Sequence, residues 1–216
     1  MPETPTGLGP HIGSDEAGKG DYFGPLVVAA AYADETALLR LPQAGVRDAK
    51  RVSNSRLWQL DKAVRQICPA CEVVLISPPR YNELHAKMRN LNRLLAWAHA
   101  RAIENLLAQV DCNLAVTDQF GDESYLEHSL MKRGKQIRLL QRVRAEDDPA
   151  VAAASVLARA AFLRAMERLS AETGFTLPRG ATHVLPTARQ VLEKGGEELL
   201  RQVAKLHFKT TKQVLP

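Results

Sequence analysis

Two adjacent acids, Asp15 and Glu16, lie inside the glycine-bounded stretch IGSDEAGKGDYFGP at residues 12–25. Read as Gly13-x-x-x-x-Gly18-Lys19, this stretch approaches a loop that cradles phosphates on backbone N–H groups. Such a loop needs Ser or Thr after its lysine to bind Mg2+, and Gly20 stands there instead. It also needs an interior free of acid, because carboxylates and phosphates repel each other. The alternative is chemistry by the acids themselves. Asp15 ends a segment that reads as a strand, and Asp118 falls near the end of another, NLAVTDQF. If the strands are neighbours their carboxylates converge, and convergent carboxylates repel unless a cation neutralises them. Oxygen-only ligands select a hard ion, Mg2+ or Mn2+. In the plainer reading these are ordinary loop acids.

The elements that must position these acids can be read from pattern. HIGSDEAG and PLVVAAAYAD form two strands joined by a glycine-rich turn, CEVVLISP a third, NLAVTDQF a fourth and KQIRLLQRV a fifth. SRLWQLDKAVRQI has Leu57, Leu60, Val64 and Ile67 at helical spacing, with Ser53 or Ser55 as its cap. Residues 81–110 predict two helices, and DPAVAAASVLARAAFLRAMERLSAET a strong one opened by Asp148-Pro149, the expected cap and first-turn residues. The remainder, from Gly174, reads as a glycine- and proline-rich loop followed by helical pieces. Early strands joined by a tight turn imply antiparallel pairing and later ones joined through helices imply parallel pairing, hence a mixed sheet in one domain.

Composition bounds the rest. The 216 residues are 45% hydrophobic and 25% charged, enough for one sizeable core in a folded, soluble chain. Apolar runs such as PLVVAAAYA fall short of the roughly 20 residues of a membrane span, and no signal peptide is evident. The net charge of +5 and pI of 9.2 suit a polyanionic partner, nucleic acid foremost. Three cysteines suit a reducing compartment. Cys68-Pro-Ala-Cys71 has CxxC spacing, but only Cys112 remains as a further thiol ligand, so the pair reads as structural. No Ser-His-Asp or Cys-His arrangement stands out, and His183 and His207 read as structural or substrate-adjacent.

The segment GSDEAGKGDYFGP resembles the first active-site motif of the type 2 ribonucleases H, with DYFGP on the ribonuclease HIII side. VRDAK, YNELHAKMRNLNRLLAWAH, VTDQF, RAED followed by AVAAASVLARAAFL, LPRGA and KLHFKTT extend the resemblance over about residues 11–211. The resemblance implies a ribonuclease H-like α/β fold: a five-stranded mixed sheet of order 3-2-1-4-5 flanked by helices. Residues 1–10 are then a flexible lead-in, and residues 11–216 the catalytic domain with a C-terminal helical region. It implies that Asp15, Glu16, Asp118 and a fourth acid shortly before the AAAS helix hold two divalent ions, Mg2+ or Mn2+. Glu146 follows alanine as in the family's AE pair and is the chosen fourth. The gap to Val151 is one residue shorter than the family's, which leaves Asp147 and Asp148 open.

The implied activity is hydrolysis of the RNA strand of RNA/DNA hybrids, giving 5′-phosphate and 3′-hydroxyl ends. Incision at a single ribonucleotide in duplex DNA, or non-catalytic hybrid binding, stand as alternatives. Gly18-Lys19-Gly20 would meet the ribose hydroxyls and backbone, with Lys50, Lys205 and Lys209 as further phosphate contacts. Related sequences often have Thr or Arg at Lys19. Ribonuclease HIII proteins usually carry an additional N-terminal substrate-binding domain, and only 14 residues precede Asp15. A compact or a truncated form is therefore expected, as a cytoplasmic monomer with no membrane partner.

Overall fold

The run LVVAAAYA, Leu26–Ala33, is buried at every position but Tyr32. A strand covered on both faces reads as a continuous apolar run, and this one lies inside a sheet. The computed structural model describes residues 7–46, 52–119, 122–143 and 145–215, without the side chains of Glu123 and Glu146. Its strands are β1 (His11–Ala17), β2 (Leu26–Ala33), β3 (Ala70–Ile76), β4 (Leu114–Asp118) and β5 (Arg138–Arg142). They form one mixed five-stranded sheet of order β3-β2-β1-β4-β5, as expected. β1 pairs in parallel with β4, and β4 with β5. The edge strands β3 and β5 are mostly half-buried or exposed, whereas β2 is buried at all positions but Tyr32.

The helices are α1 (Glu35–Gln43), α2 (Asn54–Ile67), α3 (Pro78–Met88), α4 (Leu91–Leu107), α5 (Glu123–Ser129), α6 (Pro149–Thr173), α7 (Leu185–Val203) and α8 (Lys209–Val214). Ser53 caps α2, accepting the Arg56 N–H at 3.4 Å. The two helices expected over 81–110 are α3 and α4, divided where Arg89 adopts a left-handed φ of 53°. Two short helices, α1 and α5, lack a sequence signal, yet each has a side-chain cap. Asp34 accepts from the Ala37 N–H at 2.7 Å and Asp122 from the Ser124 N–H at 2.9 Å.

The chain folds as two compact units. The first holds residues through Glu16, Val28–Val74 and Leu91–Ala160, and the second Ala17–Val27, Leu75–Asn90 and Ala161 onward. In the first unit, Val116, Ala145 and Val151 form a buried cluster with Leu8, Leu114 and Leu140 against it. Among the described residues one helix, the 25-residue α6, is long and apolar enough to cross a membrane by length and composition, an exception to the short runs noted above. Its most apolar stretch is 83% buried inside the protein, as befits a core helix.

What seats the start of α6 against the sheet is the absence of a side chain. A Cβ on Gly13 would lie 2.1 Å from the Ala150 carbonyl carbon and 2.2 Å from the Val151 nitrogen. Strand and helix therefore touch backbone to backbone two residues before Asp15. Gly13→Ala must push this contact apart, and neither neighbour is a movable side-chain tip. We expect a loss of at least about 3 kcal/mol, at the top of the range for overpacking, read as a lower denaturation midpoint.

Candidate active site

The parallel register of β1 and β4 pairs Ile12 with Ala115, Gly13 with Val116 and Ser14 with Thr117. One step further along each strand stand Asp15 and Asp118. Both lie at the C-terminal ends of their strands, the side of a parallel sheet where ligands collect. Strand alternation sends successive side chains to opposite faces, and the contacts follow it. Asp15, on the Gly13 face, has its carboxyl hydrogen-bonded by Ser155 of α6 and by the Glu16 N–H at 2.8 Å. Ser14 and Glu16, on the other face, both meet His99 of α4: Ser14 Oγ lies 3.0 Å from Nδ1 and Glu16 Oε2 3.3 Å from Nε2. Asp118 accepts the Ala145 N–H at 3.1 Å, which ties the end of β4 to the 3-10 turn Ala145–Asp147 that carries Glu146.

Burial, and then the neighbouring Glu16 charge, push the Asp15 pKa up to about 6, against the lowering effect of its hydrogen bonds. Ionising this carboxyl in the folded chain without a counter-charge costs about 3 kcal/mol more than in water. A half-buried, oxygen-only donor held in its less favourable charge state fits a hard cation, which supplies the missing charge. Among the described residues no three His, Cys, Asp or Glu side chains are gathered to hold a metal. The strand geometry explains this. Asp15 and Asp118 share a face, Glu16 turns to His99 on the other, and the Glu146 side chain lies outside the described residues.

The open choice among the three acids before α6 narrows. Asp148 is buried and its Oδ1 accepts the Ala150 and Val151 N–H groups at 2.9 and 3.2 Å, closing the helix start. Both its oxygens also lie 2.9 Å from Nε2 of the fully buried His11. With one carboxylate engaged as cap and ion-pair partner, Asp148 is a structural acid. Asp147 is exposed.

In the second unit, Gly18 opens a turn with φ of 85°, closed by the Asp21 N–H to the Gly18 carbonyl at 3.3 Å. Gly20 is exposed and its Cβ position is empty, so only the first glycine of the pair is required by packing. Lys19 is half-buried and Lys209 exposed at the start of α8. Lys50 lies outside the described residues. Lys205 is a correction: it is fully buried and donates to backbone carbonyls, so it has no surface from which to meet a phosphate. His183 is exposed. The His207 ring stacks on His85 at 4.4 Å, and burial, His85 and Lys205 hold its pKa down to about 4. Cys68, Cys71 and Cys112 are free thiols.

Sequence reading missed His99, Ser155 and the His11–Asp148 pair. A histidine inside the apolar run LLAWAHARAI and a serine ending AAAS are the signals that stood in view. His11→Ala would leave Asp148 buried without its cationic partner and should lower stability by about 3 kcal/mol. Burial alone would lower the His11 pKa, but the Asp148 hydrogen bond and charge outweigh it and raise it. The pair's contribution is thus full below the ordinary value of 6.5 and is lost as pH rises through the raised one. Denaturant titrations should show the gap between wild type and His11→Ala narrowing as pH rises above 6.5.

Comparison with known proteins agrees with this geometry. The model of the family described as Ribonuclease HII matches residues 12–211. Ribonuclease HIII of Protochlamydia amoebophila (strain UWE25) is 44% identical over 215 residues, covering 99% of this chain and 71% of that protein. Ribonuclease HIII of Chlamydia pneumoniae is 41% identical, covering 96% and 70% respectively. Among solved structures, Bst-RNase HIII in complex with Mn2+ superposes with a TM-score of 0.88 at 33% identity, over 99% of this chain and 73% of its own. On sequence, sheet order and backbone alike, the chain belongs to the ribonuclease HII family.

Proposed function

We propose that this chain hydrolyses the RNA strand of RNA/DNA hybrids, as a ribonuclease H working with two divalent ions held by Asp15, Glu16, Asp118 and Glu146. The observation that carries the reading is the half-buried Asp15 carboxyl, one register step beyond the Ser14–Thr117 pair and so beside Asp118, with its pKa raised to about 6. When bound, such ions activate a water and offset the charge that develops on the leaving 3′ oxygen, leaving 5′-phosphate and 3′-hydroxyl ends. The chain's own part is placement. Ser155 and the Glu16 N–H orient the Asp15 carboxyl. His99 holds Glu16, its Nδ1 3.0 Å from Ser14 Oγ and its Nε2 3.3 Å from Glu16 Oε2. Gly18-Lys19-Gly20 would read the 2′-hydroxyls across the shallow groove of the hybrid, which sets RNA apart from DNA. Mn2+ as a ligand is supported by the Mn2+ complex of Bst-RNase HIII, and Mg2+ by the all-oxygen donor set. Free thiols at all three cysteines support work in the cytoplasm.

A second reading, incision at a single ribonucleotide in duplex DNA, is favoured by the match to the Ribonuclease HII model. The two are separated by product maps on a continuous hybrid and on a duplex with one ribonucleotide. We expect the hybrid to be cut at many positions and at least about tenfold faster in kcat/KM; the reverse order would select the second reading.

Asp15→Asn tests the centre itself. It should bind hybrid and fail to cut it, and full retained cleavage would end the metal reading. Stability supplies an independent readout. The raised Asp15 pKa gives stability that is full below its ordinary 3.8 and lost as pH rises through about 6. In chelator at about pH 8, Asp15→Asn should therefore be more stable than wild type by about 2–3 kcal/mol. Mn2+ should raise the melting temperature of wild type and leave that of the variant nearly unchanged.

A further inference from the structure

The side chain of Lys205 has no exposed surface. Its Nζ donates to three consecutive carbonyls: Gly24 at 2.6 Å, Pro25 at 3.3 Å and Phe23 at 3.4 Å. An ammonium has three N–H donors and no acceptor, so one cation matches three acceptors. The Tyr81 ring lies 5.7 Å away. Backbone bonds lace the same segments together: Lys205 N–H to the Tyr22 carbonyl and Gly24 N–H to the Val203 carbonyl, both 2.8 Å, with Phe23 bridged to Ala204. Burial lowers the lysine pKa to about 7, opposed by the Asp21 charge; the carbonyl dipoles also favour the ammonium. A charge buried at this expense and kept from solvent is not a nucleic-acid contact.

One of the three carbonyls has a second neighbour. A Cβ on Gly18 would lie 2.3 Å from the Pro25 oxygen, so Gly18 rests directly on it, at a φ of +85°. The chain of contact runs from the Lys205 ammonium to the Pro25 carbonyl to the first glycine of Gly18-Lys19-Gly20. We propose that Lys205 is a positioning residue for that turn, acting through the carbonyls of residues 23–25 and never touching substrate. The role in catalysis rests on the reading above, in which the turn meets the ribose backbone.

The test is Lys205→Met, read in two ways. In the free protein, amide exchange over residues 18–25 should rise about tenfold with little change in β1 and β4. On a hybrid substrate KM should rise about tenfold with kcat within about twofold, since misplacement of a binding turn weakens binding before chemistry. The dependence of log KM on log salt should keep the wild-type slope, whereas Lys209→Met should reduce it by about 0.7–0.9, the loss of one phosphate contact. A salt slope reduced by Lys205→Met would restore the phosphate contact and overturn the proposal. Unchanged exchange over 18–25, or a rise spread evenly over the chain, would overturn it as well. Locally raised exchange with unchanged KM would leave the clamp but sink the turn's role in substrate binding. If Lys205→Met does not fold, Lys205→Arg keeps the charge and should move exchange and KM in the same directions by less.

Discussion

The half-buried carboxyl of Asp15, next in sequence to Glu16 and one register step beyond a pair that leads to Asp118, is held against electrostatic repulsion. Where burial lowers the local dielectric that repulsion is larger than at an open surface. The surroundings have to be stiff enough to keep the acids in place until a cation arrives. Much of what is unusual in the first unit serves this. Gly13 lets β1 lie against the backbone of α6, alanines 152–154 are buried along that helix, and Ser155 reaches Asp15 from one turn further on. The helix start is pinned by Asp148, which is pinned in turn by His11 on β1.

The two faces of β1 divide the labour. Gly13 and Asp15 address α6, while Ser14 and Glu16 address His99 on α4. A strand with side-chain period two can therefore present neighbouring acids to different supports. The pairing of Asp-Glu in sequence is then not redundancy: each acid has its own hydrogen-bonding partner.

The strands, the long helices and the acids at strand ends were legible in the residues, because hydrophobic period and cap chemistry are local. The dual role open to Asp148 was visible in Asp-Pro at a helix start, and the structure decides it for the cap. Sheet order came through family resemblance, since no local pattern says which strands are neighbours. α1 escaped because ETALLRLPQ contains Pro42, and α5 because seven residues carry too little periodicity. Lys205 shows the deeper limit. A lysine two residues before a histidine and four before Lys209 looks like any basic surface residue. Its burial depends on three carbonyls some 180 positions away, and no window of sequence contains both partners. His99 escaped for the same reason, as its partners are Ser14 and Glu16, 85 and 83 positions distant.

That remoteness has a kinetic side. His11 and Asp148 are separated by 137 positions, and Gly13 meets α6 across a like span. Contacts of such sequence separation close late, because chain entropy must be given up before they return any attraction. During synthesis β1 emerges well before α6, and it must wait for the intervening sequence before its helix exists. Ser155 reaches the Asp15 carboxyl, and Asp148 reaches His11, only once α6 docks on a β1 that already carries both acids.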